Sequence, residues 1–207
     1  MKRRPFLASL LLGASAWLWP SLALSTRLGQ IVPPFTLNDS NGRPVSLSDF
    51  QGRIVVLEWI NPTCPFVNKH YQGNVQAMQA EFIRRGVVWL SIYTMRDDHP
   101  HYHTPPQLGR WLAAQKARPT AALIDEYGQL ARALGVRVAP SVYIIDTRGV
   151  LAYAGGIDNI ASTRVSDIQY ATNFVRQALG ELLTGQAVSI PASQAYGCAI
   201  HFPPSSS

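Results

Sequence analysis

The chain has 207 residues, of which 47% are hydrophobic and 14% charged, with 15 Gly and 15 Pro. That composition is that of a packed globule and excludes a disordered, collagen-like or coiled-coil chain. The formal charge of +6 falls to +3 without Lys2, Arg3 and Arg4 of a removable leader, too small an excess to point to nucleic acid.

The N-terminus reads Lys2-Arg3-Arg4, an apolar run from Phe6 to Trp19, then Pro20-Ser21-Leu22-Ala23, where the small residues at 21 and 23 make a signal-peptidase site. Residues 1–23 are therefore expected to be an export signal. The apolar run is shorter than the roughly 18 to 20 residues that cross a bilayer, and no later stretch is long and uniformly apolar. No stable membrane insertion is expected after cleavage, although an uncleaved anchor stays open. Arg3-Arg4-Pro5-Phe6-Leu7 fits the twin-arginine export motif and equally an ordinary secretory signal with a basic start. Either route leads out of the cytoplasm, to the periplasm in a bacterium with two membranes, where a disulfide persists.

Residues 24–184 are expected to form one domain and 185–207 a C-terminal tail. Ile54 to Ile60 is β-branched and almost fully apolar, as in a buried central strand. It stops at Asn61-Pro62-Thr63-Cys64-Pro65. The positions of Phe66, Val75, Met78, Phe82 and Ile83 fit a helix from Pro65 to Arg85, with Gly73 a point for a kink and Gly86 its end. Val87 to Tyr93 predicts another strand. After a Pro/His-rich loop, Thr94 to Pro106, come a helix over 107–117, a strand over 121–124 and a helix over 127–134 closed by Gly135. Strands at 142–146 and 151–154 flank Thr147-Arg148-Gly149, a hairpin. A last long helix is expected over 165–183. This order predicts an α/β fold, a mixed central sheet covered on both faces, with sites at the carboxyl ends of its strands.

Cys64 lies at such an end. The two cysteines, Cys64 and Cys198, allow one intramolecular disulfide and no four-cysteine metal site. A thiolate, not a thiol, is the nucleophile, and position favours one here. Pro65 suits the first position of a helix, so Cys64 becomes its N-cap, facing unpaired N–H groups and the positive dipole end. That placement favours an anionic sulfur by roughly 0.3 to 2 kcal/mol. Lys69 and His70, more than a turn further along, contribute less. The alternative is a buried cysteine acting as a small apolar residue.

Trp59-x-Asn-Pro-x-Cys64-Pro65 between strand and helix resembles the active-site turn of the thioredoxin-fold superfamily. Ala139-Pro140-Ser141 before a strand is similar to the cis-proline segment those proteins set against the reactive sulfur. The run from Asn61 to Tyr71, with Gly197-Cys198, resembles redoxin-domain proteins beside the alkyl hydroperoxide reductase/thiol-specific antioxidant family. The resemblance implies a thioredoxin-like three-layer α/β/α sandwich and a peroxiredoxin-like, antioxidant or thiol–disulfide activity without a cofactor. Cys64, Cys198 and Pro140 would be its principal residues, with Trp59, Asn61, Pro62, Thr63, Pro65 and His70 in support. Its partner would be a thiol or disulfide protein, or a peroxide, together with a reductant.

The sequence also departs from those patterns. Val67 stands where thioredoxins have a second cysteine. Asn61 and Pro140 stand where peroxiredoxins have a hydroxyl residue and an arginine that polarise the peroxide, which weakens a peroxidase reading. A cis Pro140 would leave the adjacent backbone free to pair with a peptide or thiol substrate beside Cys64.

Cys198 is then the internal group able to resolve a mixed disulfide or sulfenic acid on Cys64. Gly197 beside it would allow close backbone approach. A permanent structural bridge and intermolecular pairing remain alternatives. A further cluster, Asp97-Asp98-His99-Pro100-His101-Tyr102-His103, would put His99, His101 and His103 on one face if extended, within reach of copper or zinc in a metal-binding module. Its prolines fit a solvated loop as well.

Overall fold

Two runs apolar on both sides form the middle of the sheet. Val55–Trp59 is β3 and Val88–Tyr93 is β4, parallel and in register from Val55 opposite Val88 to Trp59 opposite Ile92. Every residue of both strands is buried, so both faces of the sheet are covered. This is the three-layer arrangement expected from the alternation of elements. The computed structural model describes residues 27–202, and the expected export signal at 1–23 lies outside them.

In chain order the elements are β1 (Thr36–Asp39), β2 (Pro44–Ser46), β3, α1 (Pro65–His70), α2 (Asn74–Arg84), β4, α3 (Pro105–Ala114), β5 (Ala121–Ile124), α4 (Gln129–Leu134), β6 (Val138–Ala139), β7 (Ser141–Ile145), β8 (Leu151–Gly155), α5 (Phe174–Leu183) and β9 (Cys198–Ala199). The seven-stranded sheet runs β2-β1-β5-β4-β3-β7-β8. β5 is parallel to β4, whereas β7 is antiparallel to β3, and β8 returns beside β7 through the turn at Asp146–Val150. β6 and β9 form a separate antiparallel pair.

Three sequence expectations change. The helix over 65–85 is two helices, because Gly73 takes φ +112 and caps α2 instead of continuing α1. The long helix over 165–183 is a 3-10 turn at Val165–Tyr170 followed by α5, whose N-cap Asn173 accepts a hydrogen bond from Arg176 N at 2.9 Å. The lead-in before β3 carries the β1–β2 hairpin, too short to show a period.

Glu58, in the middle of β3, is fully buried and lies opposite Ser91 of β4. Its Oε2 accepts from Trp89 Nε1 at 2.7 Å, Tyr71 Oη at 3.2 Å and Ser91 Oγ at 3.2 Å. Burial pushes its carboxyl up to about 7, against the pull of these donors.

Candidate redox site

The turn after β3 is built by short-range bonds. Asn61 Oδ1 accepts from Thr63 N at 3.0 Å and Thr63 Oγ1 at 2.9 Å, Cys64 N donates to Asn61 O at 3.0 Å, and Asn68 Nδ2 reaches back to Pro62 O at 3.2 Å. These bonds hold Cys64 as the N-cap of α1, with Pro65 at the first helical position. Trp59 braces the turn from below. Its ring meets Tyr143 edge-on at 5.5 Å, and its Nε1 donates to Thr94 Oγ1, which donates to Asp125, the carboxylate that accepts from the Leu130 and Ala131 amides in the first turn of α4.

Cys64 and Cys198, 134 positions apart, are joined in a disulfide with Cα atoms 5.8 Å apart. The second sulfur arrives on a strand. Cys198 lies opposite Ala139 and Ala199 opposite Val138 in the β6–β9 pair, immediately before the cis Ala139–Pro140 bond. Cys64 Sγ is 3.3 Å from Ala139 O, and Cys64 is only 1% exposed. The backbone expected to be free for a substrate is therefore occupied by the chain's own tail. Gly197 makes this possible: a Cβ there would lie 2.0 Å from Ala139 O, and its φ is +148.

The tail is anchored on both sides of Cys198. Ahead of it, Tyr196 enters a socket made by α1 and the loop after β8. Its hydroxyl donates to Asp158 Oδ1 and accepts from Lys69 Nζ at 3.3 Å and His70 Nε2 at 3.1 Å. His70 Nδ1 accepts from Asn74 Nδ2 at 2.8 Å, which fixes the tautomer that donates from Nε2. Lys69 Nζ also pairs with Asp158 Oδ2 at 3.1 Å and donates to Ile160 O at 2.9 Å. Lys69, His70 and Asp158 are each at most 1% exposed. Burial brings the His70 imidazole down to about 4, against the attraction of Asp158, so the ring is neutral at pH 7. Burial, with the bond to Asp158, holds the Tyr196 phenol far above its ordinary value.

Earlier in the tail, Ser193 Oγ accepts from Gly156 N at 3.0 Å and meets Tyr153 Oη at 2.6 Å. Beyond Cys198, Ile200 N donates to Arg137 O at 2.9 Å, His201 O accepts from Arg96 N at 2.8 Å, and the Phe202 ring lies 4.6 Å from the Arg132 guanidinium.

Of the residues singled out from sequence, the structure gathers Cys64, Cys198, Pro140 and the turn residues 61–65 around the disulfide, while His70 serves the socket beneath the tail. Lys69, assigned only a weak effect on the thiol, is the socket's cation. Asp158 and Tyr196 were missed, and the available signal was a tyrosine two residues before Cys198. The histidine loop does not extend: Tyr102 N donates to His99 O at 2.9 Å in a turn, His99 Nδ1 accepts from His101 N, and His103 Nδ1 meets His101 O. His99 instead stacks on His201 at 4.3 Å. Among the described residues no group of three or more His, Cys, Asp or Glu is placed to hold a metal ion. None of the described helices is long and apolar enough to cross a membrane.

The sequence profile of the AhpC/TSA family matches residues 28–154. An uncharacterised conserved protein of Geobacillus kaustophilus is 25% identical, with a TM-score of 0.74 over 87% of this chain and 94% of that one. A hypothetical protein of Sinorhizobium meliloti shares the fold with a TM-score of 0.74 and 21% identity, over 87% and 97% of the two chains. A Chlorobium tepidum structure provisionally named a thiol:disulfide interchange protein, DsbE, is 25% identical with a TM-score of 0.51, over 63% of this chain and 85% of that one. No curated protein matches.

Proposed function

Because the chain belongs to the AhpC/TSA family, we propose that its Cys64–Cys198 pair is the redox couple of an exported thiol–disulfide oxidoreductase. The observation that carries this reading is the meeting of the chain's two cysteines at the carboxyl end of β3, against the Ala139–Pro140 segment. A bridge there exchanges with a partner protein's thiols: two thiols are oxidised to a disulfide while Cys64–Cys198 is reduced, and the reverse on reoxidation. Cys64 is the reactive thiolate of the couple, Cys198 the cysteine that resolves it, and the Ala139–Pro140 segment holds the strand that carries Cys198. A separate reductant or oxidant resets the pair, with no cofactor in the exchange itself. The leader-like pattern of residues 1–23, basic start, apolar run and small residues at 21 and 23, supports export to the periplasm, and an oxidising compartment keeps such a bridge closed between turnovers. The 25% identity to the provisionally named interchange protein supports the exchange chemistry.

A thiol peroxidase is the other reading that family membership brings. There, peroxide would convert the Cys64 thiolate to a sulfenic acid, releasing an alcohol or water, and the Cys198 thiol would condense with it, releasing water. Two features favour exchange instead. Pro140 offers no guanidinium and Asn61 no hydroxyl, the two groups that would polarise a peroxide there. Stopped-flow mixing of the reduced protein with hydrogen peroxide and, separately, with a protein disulfide tests the choice. Fast exchange with sluggish peroxide oxidation is expected, and the opposite order overturns the proposal.

A further inference from the structure

We infer that the tail stays docked when the disulfide opens, so that an external thiol or disulfide meets Cys198, not Cys64, with Tyr196 as the positioning residue that keeps it so. The inference rests on the exchange reading above. It reverses the order expected from the sequence, in which Cys64 meets the partner first.

Access separates the two sulfurs. Cys64 is 1% exposed, enclosed by its own turn, by Ala139 and by the tail strand, whereas Cys198 is partly exposed and is followed by the exposed Ala199. A thiolate must approach along the S–S axis, and of the two bridged residues Cys198 is the more exposed. Opening the bond does not by itself uncover Cys64. The tail keeps Tyr196 in the buried Lys69, His70 and Asp158 socket, Ser193 on Gly156, and Ile200 and His201 on the backbone of Arg137 and Arg96. These anchors lie on both sides of Cys198 and do not involve the disulfide. Withdrawing Tyr196 would also leave polar atoms of three buried side chains without that partner, which costs more than the loss of an exposed contact. Ala139 O, 3.3 Å from Cys64 Sγ, can accept from a thiol there, which keeps the inner cysteine as the resident partner.

The exchange then balances as follows. An incoming thiolate attacks Cys198 Sγ, the S–S bond breaks, and its electron pair leaves on Cys64 Sγ. A second thiol releases the mixed disulfide from Cys198. Two external thiols have become one disulfide, and the two protons they lose end on Cys64 and Cys198.

The test compares the single-thiol variants Cys64→Ser and Cys198→Ser in reaction with oxidised glutathione across one alkaline pH series. The thiol of Cys64→Ser, which is Cys198, is expected to react about tenfold or more faster than that of Cys198→Ser. Adding Tyr196→Phe to Cys198→Ser should speed the reaction of Cys64, a gain that a purely structural role for Tyr196 would not give. Equal or inverted rates, or no gain from Tyr196→Phe, overturn the inference. With the oxidised wild-type protein, reduced glutathione quenched by acid early in the reaction should be found on Cys198. Glutathione first on Cys64 overturns the inference and leaves the exchange reading standing. A bridge that neither glutathione nor dithiothreitol opens in the folded protein overturns both.

Discussion

Ala139 faces Cys198 across a two-residue antiparallel pair, so the backbone beside Pro140 that would receive a substrate strand is filled from within the molecule. The tail is thus both a carrier of the second sulfur and a cover for the first.

Gly197→Ala should prevent this pairing. A Cβ would lie 2.0 Å from a backbone oxygen that cannot retreat, at a φ that side chains disfavour. Slower closure of Cys64–Cys198 in a glutathione buffer and a loss of about 1 to 3 kcal/mol in urea unfolding are expected. Gly180→Ala, in α5 with nothing within 4 Å of its added Cβ, is the control and should be neutral or stabilising.

Removing one member of the socket pair should be costly, because the other is left as a buried charge. Lys69→Met or Asp158→Ala is expected to lose about 3 to 5 kcal/mol in denaturant melts. Arg148→Met, whose partner Asp146 it meets from a side chain that is 78% exposed, should change stability by less than about 1 kcal/mol.

The pH dependence of stability should be flat where two buried groups oppose each other. Glu58, raised to about 7 from 4.5, contributes stability present below pH 4.5 that is lost as pH rises to 7. His70, lowered to about 4 from 6.5, penalises the fold as pH falls from 6.5 to 4. Each is worth about 3 kcal/mol, with opposite sign over overlapping windows. Urea melts of Glu58→Gln should show stability falling on acidification, and those of His70→Gln stability rising. Two variants with parallel slopes would contradict this assignment.

The sequence made the centre of the fold legible because β3 and β4 are buried on both faces and read as unbroken apolar runs. It also gave the Cys64 turn, since Pro65 after a strand marks a helix start. Short-range signals failed where long-range packing decides. β9 is two residues long and exists because Tyr196 and Gly197 deliver it to β6, and no local pattern announces that. For the same reason the tail's occupation of the Pro140 segment was invisible, as was the pairing of Lys69 with Asp158, 89 positions away. Gly73 was recognised as a weak point, but its positive φ, which splits the helix, is a property of the folded chain.

Cys64→Ser should also cost stability, because the bridge closes a loop with a sequence separation of 134. The loop-entropy description puts this at about 5 kcal/mol. Since the anchors at Tyr196, Ser193 and Ile200 are independent of the sulfur, amide exchange at Ile200 should remain protected in the variant. Full exposure of residues 191–202 would show that the disulfide alone holds the tail.

The most direct test is a redox titration of the folded protein in glutathione buffers, with the Cys64–Cys198 link followed by mass spectrometry and the fold by circular dichroism. The account predicts a reversible two-electron transition within the glutathione range, with the secondary structure unchanged throughout. A bridge that stays closed until the protein unfolds would contradict it and leave Cys64–Cys198 a structural clasp.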